Sequence, residues 1–219
     1  MIEAPSTELT IAATDELDPE LLELPDPPKR DRTVTVALLV FTALASLAMV
    51  IALRRDATYA FAPTHARDVG DLNAADATTF VENEYVRGNV MLGAAHAIRY
   101  ERPLVSDSFR LMPVTAASGA AKVWVEVRVP PRAENIRWVP PSQVSGRLVH
   151  FDKAGPRHRG LANAVHDVTG QEVPKDAWLL VDGAAPSDAR WAVLLVGLFA
   201  SFAAWNAFAT AKLLRKVKA

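Results

Sequence analysis

Residues 34–53 read VTVALLVFTALASLAMVIAL, twenty residues without a formal charge. A second uncharged block, WAVLLVGLFASFAAWNAFAT, occupies residues 191–210. A helix rises about 1.5 Å per residue and the hydrocarbon layer of a bilayer is about 30 Å thick, so about 20 apolar residues span it. Apolar residues occur on every face of the first block and leave no water-facing side. The sequence therefore predicts two transmembrane helices.

Basic residues at the ends of the spans predict their orientation. Arg190 alone precedes the second span closely, whereas four basic residues follow it: Lys212, Arg215, Lys216 and Lys218. Cytoplasmic flanks carry the excess of Lys and Arg. We therefore expect a protein of the cell (inner) membrane with both termini cytoplasmic and residues 54–190 outside. A cleaved signal peptide is disfavoured, because the residues before the first span are too many and too acidic.

The remaining chain divides by composition. Residues 1–32 hold nine acids, three bases and five prolines, which predicts a disordered acidic cytoplasmic tail. Residues 54–84 are expected to be a linker with a short helix, in which Asp71 caps the helix and Tyr59 lies near the lipid headgroups. Residues 211–219 form a basic cytoplasmic tail.

Residues 85–183 have the pattern of a mainly β domain. Short apolar segments broken by Gly, Pro, Asn or Asp recur at 85–92, 95–101, 108–114, 122–129, 146–151 and 177–182. The clearest, KVWVEVRV at 122–129, places its valines on one face and Trp124 and Glu126 on the other. A helix is predicted between Gly160 and Gly170. The expected fold is two transmembrane helices flanking a five- or six-stranded barrel with one helix, similar to the oligonucleotide/oligosaccharide-binding (OB) type.

Several classes of chemistry find no motif here. The chain has no cysteine, which removes thiol catalysis and thiolate metal sites. It also has no phosphate-binding glycine loop, nucleophile elbow, His-Glu-x-x-His helix or dinucleotide fingerprint. Because the outer region is nearly neutral and lies outside the cytoplasm, nucleic acid is not an expected partner. No cofactor is predicted, and an enzyme is the less favoured class.

Three histidines give the one alternative with chemistry. His150, His158 and His166 are spaced eight residues apart, with carboxylates beside two of them. Imidazoles and a carboxylate together can hold zinc or copper. An envelope metal-binding protein or metal-dependent enzyme is therefore the alternative reading, although the three histidines fall on different elements and arginines flank His158.

Two further groups of residues predict contacts with partners. Arg137 and Trp138 lie in a loop bracketed by prolines, and Trp and Arg are common interface anchors. The alternative is that Trp138 folds back onto its own domain as a lid. A basic cluster is expected to meet anionic lipid headgroups or an acidic partner, or to be a solvated face: Arg147, Lys153, Arg157 and Arg159.

Small and polar residues within the spans predict close helix packing. Thr42 and Ser46 are four residues apart, as are Gly197 and Ser201. Asn206 is the strongly polar residue of the second span. These residues are expected to contact the other span or a second subunit, so the expected partners are the bilayer and a membrane protein or a second copy.

The arrangement of two spans around an outer β domain, over residues 34–210 with the fragments 85–93 and 178–183, resembles the Surfeit-locus family of cytochrome oxidase assembly factors. Membrane-anchored BAM-type domains share this plan. The resemblance implies a helper of a membrane complex and transfers no functional residue. We therefore expect an accessory, assembly or scaffold protein; an envelope sensor is a third possibility, though no cytoplasmic output domain is present.

Overall fold

The structure is a computed structural model that describes residues 29–93, 97–103, 105–115, 121–133, 138–170 and 172–215. The predicted acidic tail lies outside the described residues except for residues 29–32. The last four residues of the basic tail lie outside them as well.

The described residues include three α-helices: α1 (Lys29–Tyr59), α2 (Leu161–Thr169) and α3 (Arg190–Leu214). Helices α1 and α3 are long and apolar enough to cross a membrane, and they pack against each other. Their most apolar 18-residue windows are only 6% and 11% buried. A core helix of a water-soluble domain would be covered, so the exposed apolar surface favours lipid contact.

Seven strands form one mixed sheet, in the order β1-β2-β6-β7-β5-β4-β3. Their bounds are β1 (Arg67–Asp71), β2 (Glu84–Asn89), β3 (Ile98–Glu101), β4 (Ser108–Pro113), β5 (Val123–Val129), β6 (Gln143–His150) and β7 (Trp178–Asp182). The β1–β2 and β5–β7 pairs are parallel, and the other pairs are antiparallel.

The predicted closed barrel is not found in the described residues, where β1 and β3 are the two edges of an open sheet. All six predicted strand segments contain a strand, and β1 is an additional one within the predicted linker. An antiparallel meander would place sequential strands side by side, but here β6 lies between β2 and β7, and β7 pairs parallel to β5. The OB-like assignment stays a prediction.

Each face of the sheet carries its own apolar core. One core joins the inward residues of the central strands to the segment after β1: Leu72, Phe80, Val86, Val125, Leu148 and Leu180 are among its members. The second core lies under α2, where Leu161 and Val165 pack on Trp124 and Leu179. Strand β5 is therefore buried on both faces, including the face that reads as polar in sequence.

Two glycines have positions that other residues would not tolerate. At Gly146 on β6, an added Cβ would overlap the backbone of Val181 on β7. Gly170 has a φ of 69° and ends α2 by donating its amide to the carbonyl of His166. This is the helix end predicted from the sequence, because only glycine adopts the left-handed region without cost.

Candidate functional site

The C-terminal end of α1 is bonded directly to the β domain. The helix continues past the uncharged block to Tyr59, so the first residues of the predicted linker are helical. Tyr59 is 1% exposed, and its hydroxyl donates to the carbonyl of Ala184, 2.6 Å away. Tyr59 is therefore a packed anchor.

Two further polar groups fasten this junction. Arg147 of β6 pairs with Asp56 of α1 at 2.5 Å, and its guanidinium lies 4.6 Å from the centre of the Tyr59 ring. Asn83 accepts from Arg147 at 2.7 Å and donates to the Arg55 carbonyl. Asn83 has a φ of 69°, a conformation that asparagine tolerates better than most residues. The end of the helix is thus held by bonds to several parts of the domain.

A cleft of about 720 Å³ opens beside this junction, between the C-terminal end of α1, the N-terminal end of α3 and the domain. Its apolar walls include Ala52, Val149, Val181, Ala189 and Trp191. Its charged lining consists of the bases Arg55, Arg102, Arg147, Lys153 and Arg157 and the acids Asp56, Glu82 and Asp188, with His158 beside them. The cleft is therefore amphipathic, with more basic than acidic side chains.

A buried carboxylate lies behind one wall of the cleft. Glu126 of β5 is 1% exposed. Arg102 donates to its Oε1 at 2.7 Å, the Nε2 of His158 lies 2.7 Å from its Oε2, and the Tyr100 hydroxyl donates to Oε2. We call these four residues the Glu126 cluster. Arg102 and His158 belong both to this cluster and to the lining of the cleft.

The Glu126 carboxylate is electrostatically satisfied. Burial would raise the pKa of the Glu126 carboxyl, but the hydrogen bond and charge of His158, with Tyr100 and Arg102, outweigh it and hold the pKa below its usual value. Burial and the neighbouring carboxylate raise the pKa of the Tyr100 hydroxyl. The other ring nitrogen of His158 lies 2.8 Å from the Ala154 carbonyl, so a protonated ring donates at both nitrogens.

This arrangement suits binding better than catalysis. The Glu126 oxygens are taken up by three donors, and Tyr100 directs its proton at a carboxylate, so neither group is placed as a general base. The cluster instead fixes Arg102 and His158 at the wall of the cleft. A cleft with fixed cations and apolar walls can hold an anionic, partly apolar ligand.

The histidines predicted as metal ligands have different surroundings. His150 stacks on Trp178 with ring centres 3.9 Å apart, and His158 belongs to the Glu126 cluster. His166 on α2 is exposed and lies 3.6 Å from Asp167. Over the described part of the chain, no group of three His, Asp or Glu side chains is placed to hold a metal ion. The metal-site alternative therefore has no geometric support.

Trp138 packs against the core of the sheet rather than standing free. It is partly buried against the first core, and the guanidinium of Arg110 lies 4.2 Å from its ring centre. This is the arrangement expected of a lid. Arg137 lies outside the described residues, and partner binding by Arg137 and Trp138 stays a prediction.

The predicted packing residues of the spans divide into two groups. Ser46 and Asn206 are buried, at 5% and 3% exposure, and Thr42 is partly buried. Gly197 and Ser201 are exposed, and nothing lies within 4 Å of a Cβ added at Gly197. The first three thus lie between α1 and α3, whereas the Gly197–Ser201 pair faces away, and contact of that pair with a second subunit stays a prediction.

Sequence reasoning missed several of the residues that build this site. Glu126 had one signal, a lone acid in a valine-rich strand. Asp56, Asn83 and Arg102 had none, because their partners lie between 24 and 91 residues away in the sequence.

Comparison with known proteins found no family model, curated protein or solved structure that matches this chain. The fragments that carry the Surfeit-locus resemblance lie around β2 and β7, which β6 separates in the sheet. Membership of that family stays an expectation, and function is inferred from the geometry of the chain itself.

Proposed function

We propose that this chain is a two-span membrane protein that holds an outward-facing β domain at a fixed position on the bilayer and acts as an accessory or scaffold subunit of a membrane complex. The observation that supports the proposal is the bonded junction at Tyr59, Asp56 and Asn83. A domain whose task is to dock onto a neighbour in the same membrane gains from a fixed height and orientation, because less freedom is lost on binding. A domain on a flexible tether would lack that gain.

The proposed orientation is tested by cysteine labelling, for which the absence of native cysteine provides a clean background. Ala162 on α2 and Ala211 near the end of α3 are both exposed. A membrane-impermeant maleimide added to intact cells should label A162C, and it should label A211C only after permeabilisation. The reverse pattern would show that the basic end of α3 is outside.

The proposed role is tested by removing the protein from its own host. The membrane complexes of the deletion strain are separated on a native gel and compared with those of the parent by mass spectrometry. One complex should be lost or reduced, and the full-length chain should restore it. An unchanged set of complexes would contradict the proposal.

A matched pair of variants then tests whether the junction matters. Asn83→Ala removes bonds between α1 and the domain, whereas Arg87→Ala removes an exposed residue of the neighbouring strand that pairs with Asp68 at 3.3 Å. Restoration should be weaker with N83A than with R87A at equal protein levels. Equal restoration would show that the junction is not needed for the proposed role.

A further inference from the structure

We infer that the cleft between the helix ends and the domain binds the phosphate headgroup of an anionic phospholipid from the outer leaflet. The inference rests on the proposed membrane orientation, because only then does the cleft open at the level of the lipid headgroups.

The position of the cleft at the helix ends favours a lipid ligand. Ala52 and Trp191 line the cleft and belong to the outer ends of α1 and α3. Trp191 is 41% exposed, and tryptophan is the residue that favours the boundary between lipid and water. The apolar wall of the cleft is therefore continuous with the exposed apolar surface of the spans. A molecule that enters from the bilayer keeps its acyl chains on that surface.

The charge of the cleft lining favours an anionic ligand. Most cations around the cleft already have a carboxylate partner: Arg147 pairs with Asp56, Arg55 with Glu82 at 3.6 Å, and Arg102 with Glu126. Lys153 and Arg157 are exposed and have no acidic partner among the residues that the structure describes. Both lie on the short turns that follow β6, at Phe151–Lys153 and Pro156–His158. Within the described part of the chain, the cleft therefore has two cations without an acidic partner at its polar side.

The turns that carry these cations are held in place. Arg55 of α1 donates to the carbonyl of Lys153 at 3.1 Å, and His158 is fixed by Glu126 and by the Ala154 carbonyl. A phosphate oxygen between Lys153 and Arg157 would thus meet cations on an ordered backbone. Phosphate binding by paired Lys and Arg is strong, since both bonds are charge-assisted.

Size and shape favour a lipid over a free phosphate ion. The cleft, at about 720 Å³, far exceeds one phosphate group, and Ala52 and Trp191 give it apolar surface at the helix ends. A phosphate linked to glycerol and acyl chains matches both parts. The same cations could bind inorganic phosphate, so the experiment has to separate the two sources.

The test uses the full-length protein in nanodiscs of phosphatidylcholine, titrated with phosphatidylglycerol brominated at the first acyl carbons. Bromine quenches nearby tryptophan, so binding is read as loss of Trp191 fluorescence, which Trp191→Phe identifies. Quenching should saturate at a low fraction of phosphatidylglycerol. Inorganic phosphate at millimolar concentration should leave it unchanged. Quenching in simple proportion to bromolipid content, or its reversal by inorganic phosphate, would overturn the lipid assignment.

The variant Lys153→Gln with Arg157→Gln removes the positive charges of these two side chains. Its apparent affinity for phosphatidylglycerol should be roughly thirtyfold lower than that of the parent. The control, Arg87→Gln with Arg132→Gln, removes the same charge from exposed residues that do not line the cleft. An equal loss in both variants would mean general surface attraction and would overturn the site.

Folding and the proposed role are separated from this readout. Lys153 and Arg157 have exposed side chains without a described bond, so both double variants should melt within about 2 °C of the parent. The nanodisc titration contains no other protein. A lipid site can therefore be confirmed even if no membrane complex depends on the chain, and it can fail while the accessory role stands.

Discussion

The Glu126 cluster and the cleft share two side chains yet differ in how their charges are balanced. In the cluster, Arg102 and His158 each lie 2.7 Å from an oxygen of Glu126, and the carboxylate is 1% exposed. Along the cleft, Lys153 and Arg157 are exposed without an acidic partner in the described residues. Closed polar networks stabilise one structure, whereas open ones leave charge for a ligand. The cluster therefore supports the fold, and the cleft has the capacity to bind.

The largest effect is expected from neutralising the buried carboxylate. Glu126→Gln leaves the partly buried side chains of Arg102 and His158 without their carboxylate partner, which costs about 3–5 kcal/mol of unfolding free energy. The measurement is thermal unfolding of the purified chain in detergent, followed by tryptophan fluorescence. A melting temperature close to that of the parent would show that the cluster is not a stabilising network.

A matched control uses another glutamate of the sheet. Glu101 pairs with Arg99 at 3.3 Å, but the two side chains are 71% and 54% exposed. Exposed ion pairs contribute little, so Glu101→Gln should melt almost with the parent.

A smaller effect is expected at the junction. Arg147→Gln removes the ion pair with Asp56 and the bond to Asn83. Because the Asp56 side chain is 36% exposed, water screens part of the loss, and we expect about 1–2 kcal/mol. Combining it with Asp56→Asn in a double-mutant cycle should give non-additive changes. Simple additivity would mean that the pair does not couple the helix to the domain.

The next effect in size concerns the tyrosine anchor. Tyr59→Phe keeps the packing and removes the hydroxyl that donates to Ala184, so it should cost about 1 kcal/mol. Tyr85→Phe is the control, because the Tyr85 hydroxyl has no hydrogen-bond partner in the described residues. If both variants melt alike, the Tyr59 hydroxyl does not fasten the helix.

The smallest effect on stability is expected from a change of pH. Burial of the Glu126 carboxyl raises its pKa and so partly cancels the lowering by its hydrogen bonds. The folded pKa of Glu126 lies below its ordinary value of 4.5, so the unfolded chain takes up this proton first. The stabilisation is therefore complete above about pH 4.5 and is lost as the pH falls through the folded pKa. Melting curves between pH 3 and 7 should show this loss in the parent and a weaker one in E126Q. Equal acid slopes would assign the loss to other carboxyls.

Local pattern was enough to predict the elements with strong periodicity. The two uncharged blocks became α1 and α3, six apolar segments became strands, and Gly170 ended α2 as expected. In each case the signal lies within one segment of sequence. Strand β1 was missed because its residues, RDVGD, are polar and exposed. It forms a strand because its backbone pairs with β2 at the edge of the sheet.

Long-range pairing decided what the pattern did not show. The alternation of 122–129 was correct, but the face with Trp124 and Glu126 is buried, because β5 is flanked by β4 and β7 and covered by the core under α2. The strand order of the sheet likewise depends on long-range pairing, which places β6 between β2 and β7. The cleft was beyond prediction, since it is bounded by residues from 52 to 191.

Helix α1 runs without interruption from Lys29 to Tyr59 and ends inside the domain. The helix and the sheet are therefore joined as one rigid unit. In a thinner bilayer, a span that is longer than the hydrocarbon layer tilts to keep its apolar length covered. The sheet would tilt with the helix by the same angle. The local thickness of the membrane would thereby set the direction in which the β domain faces.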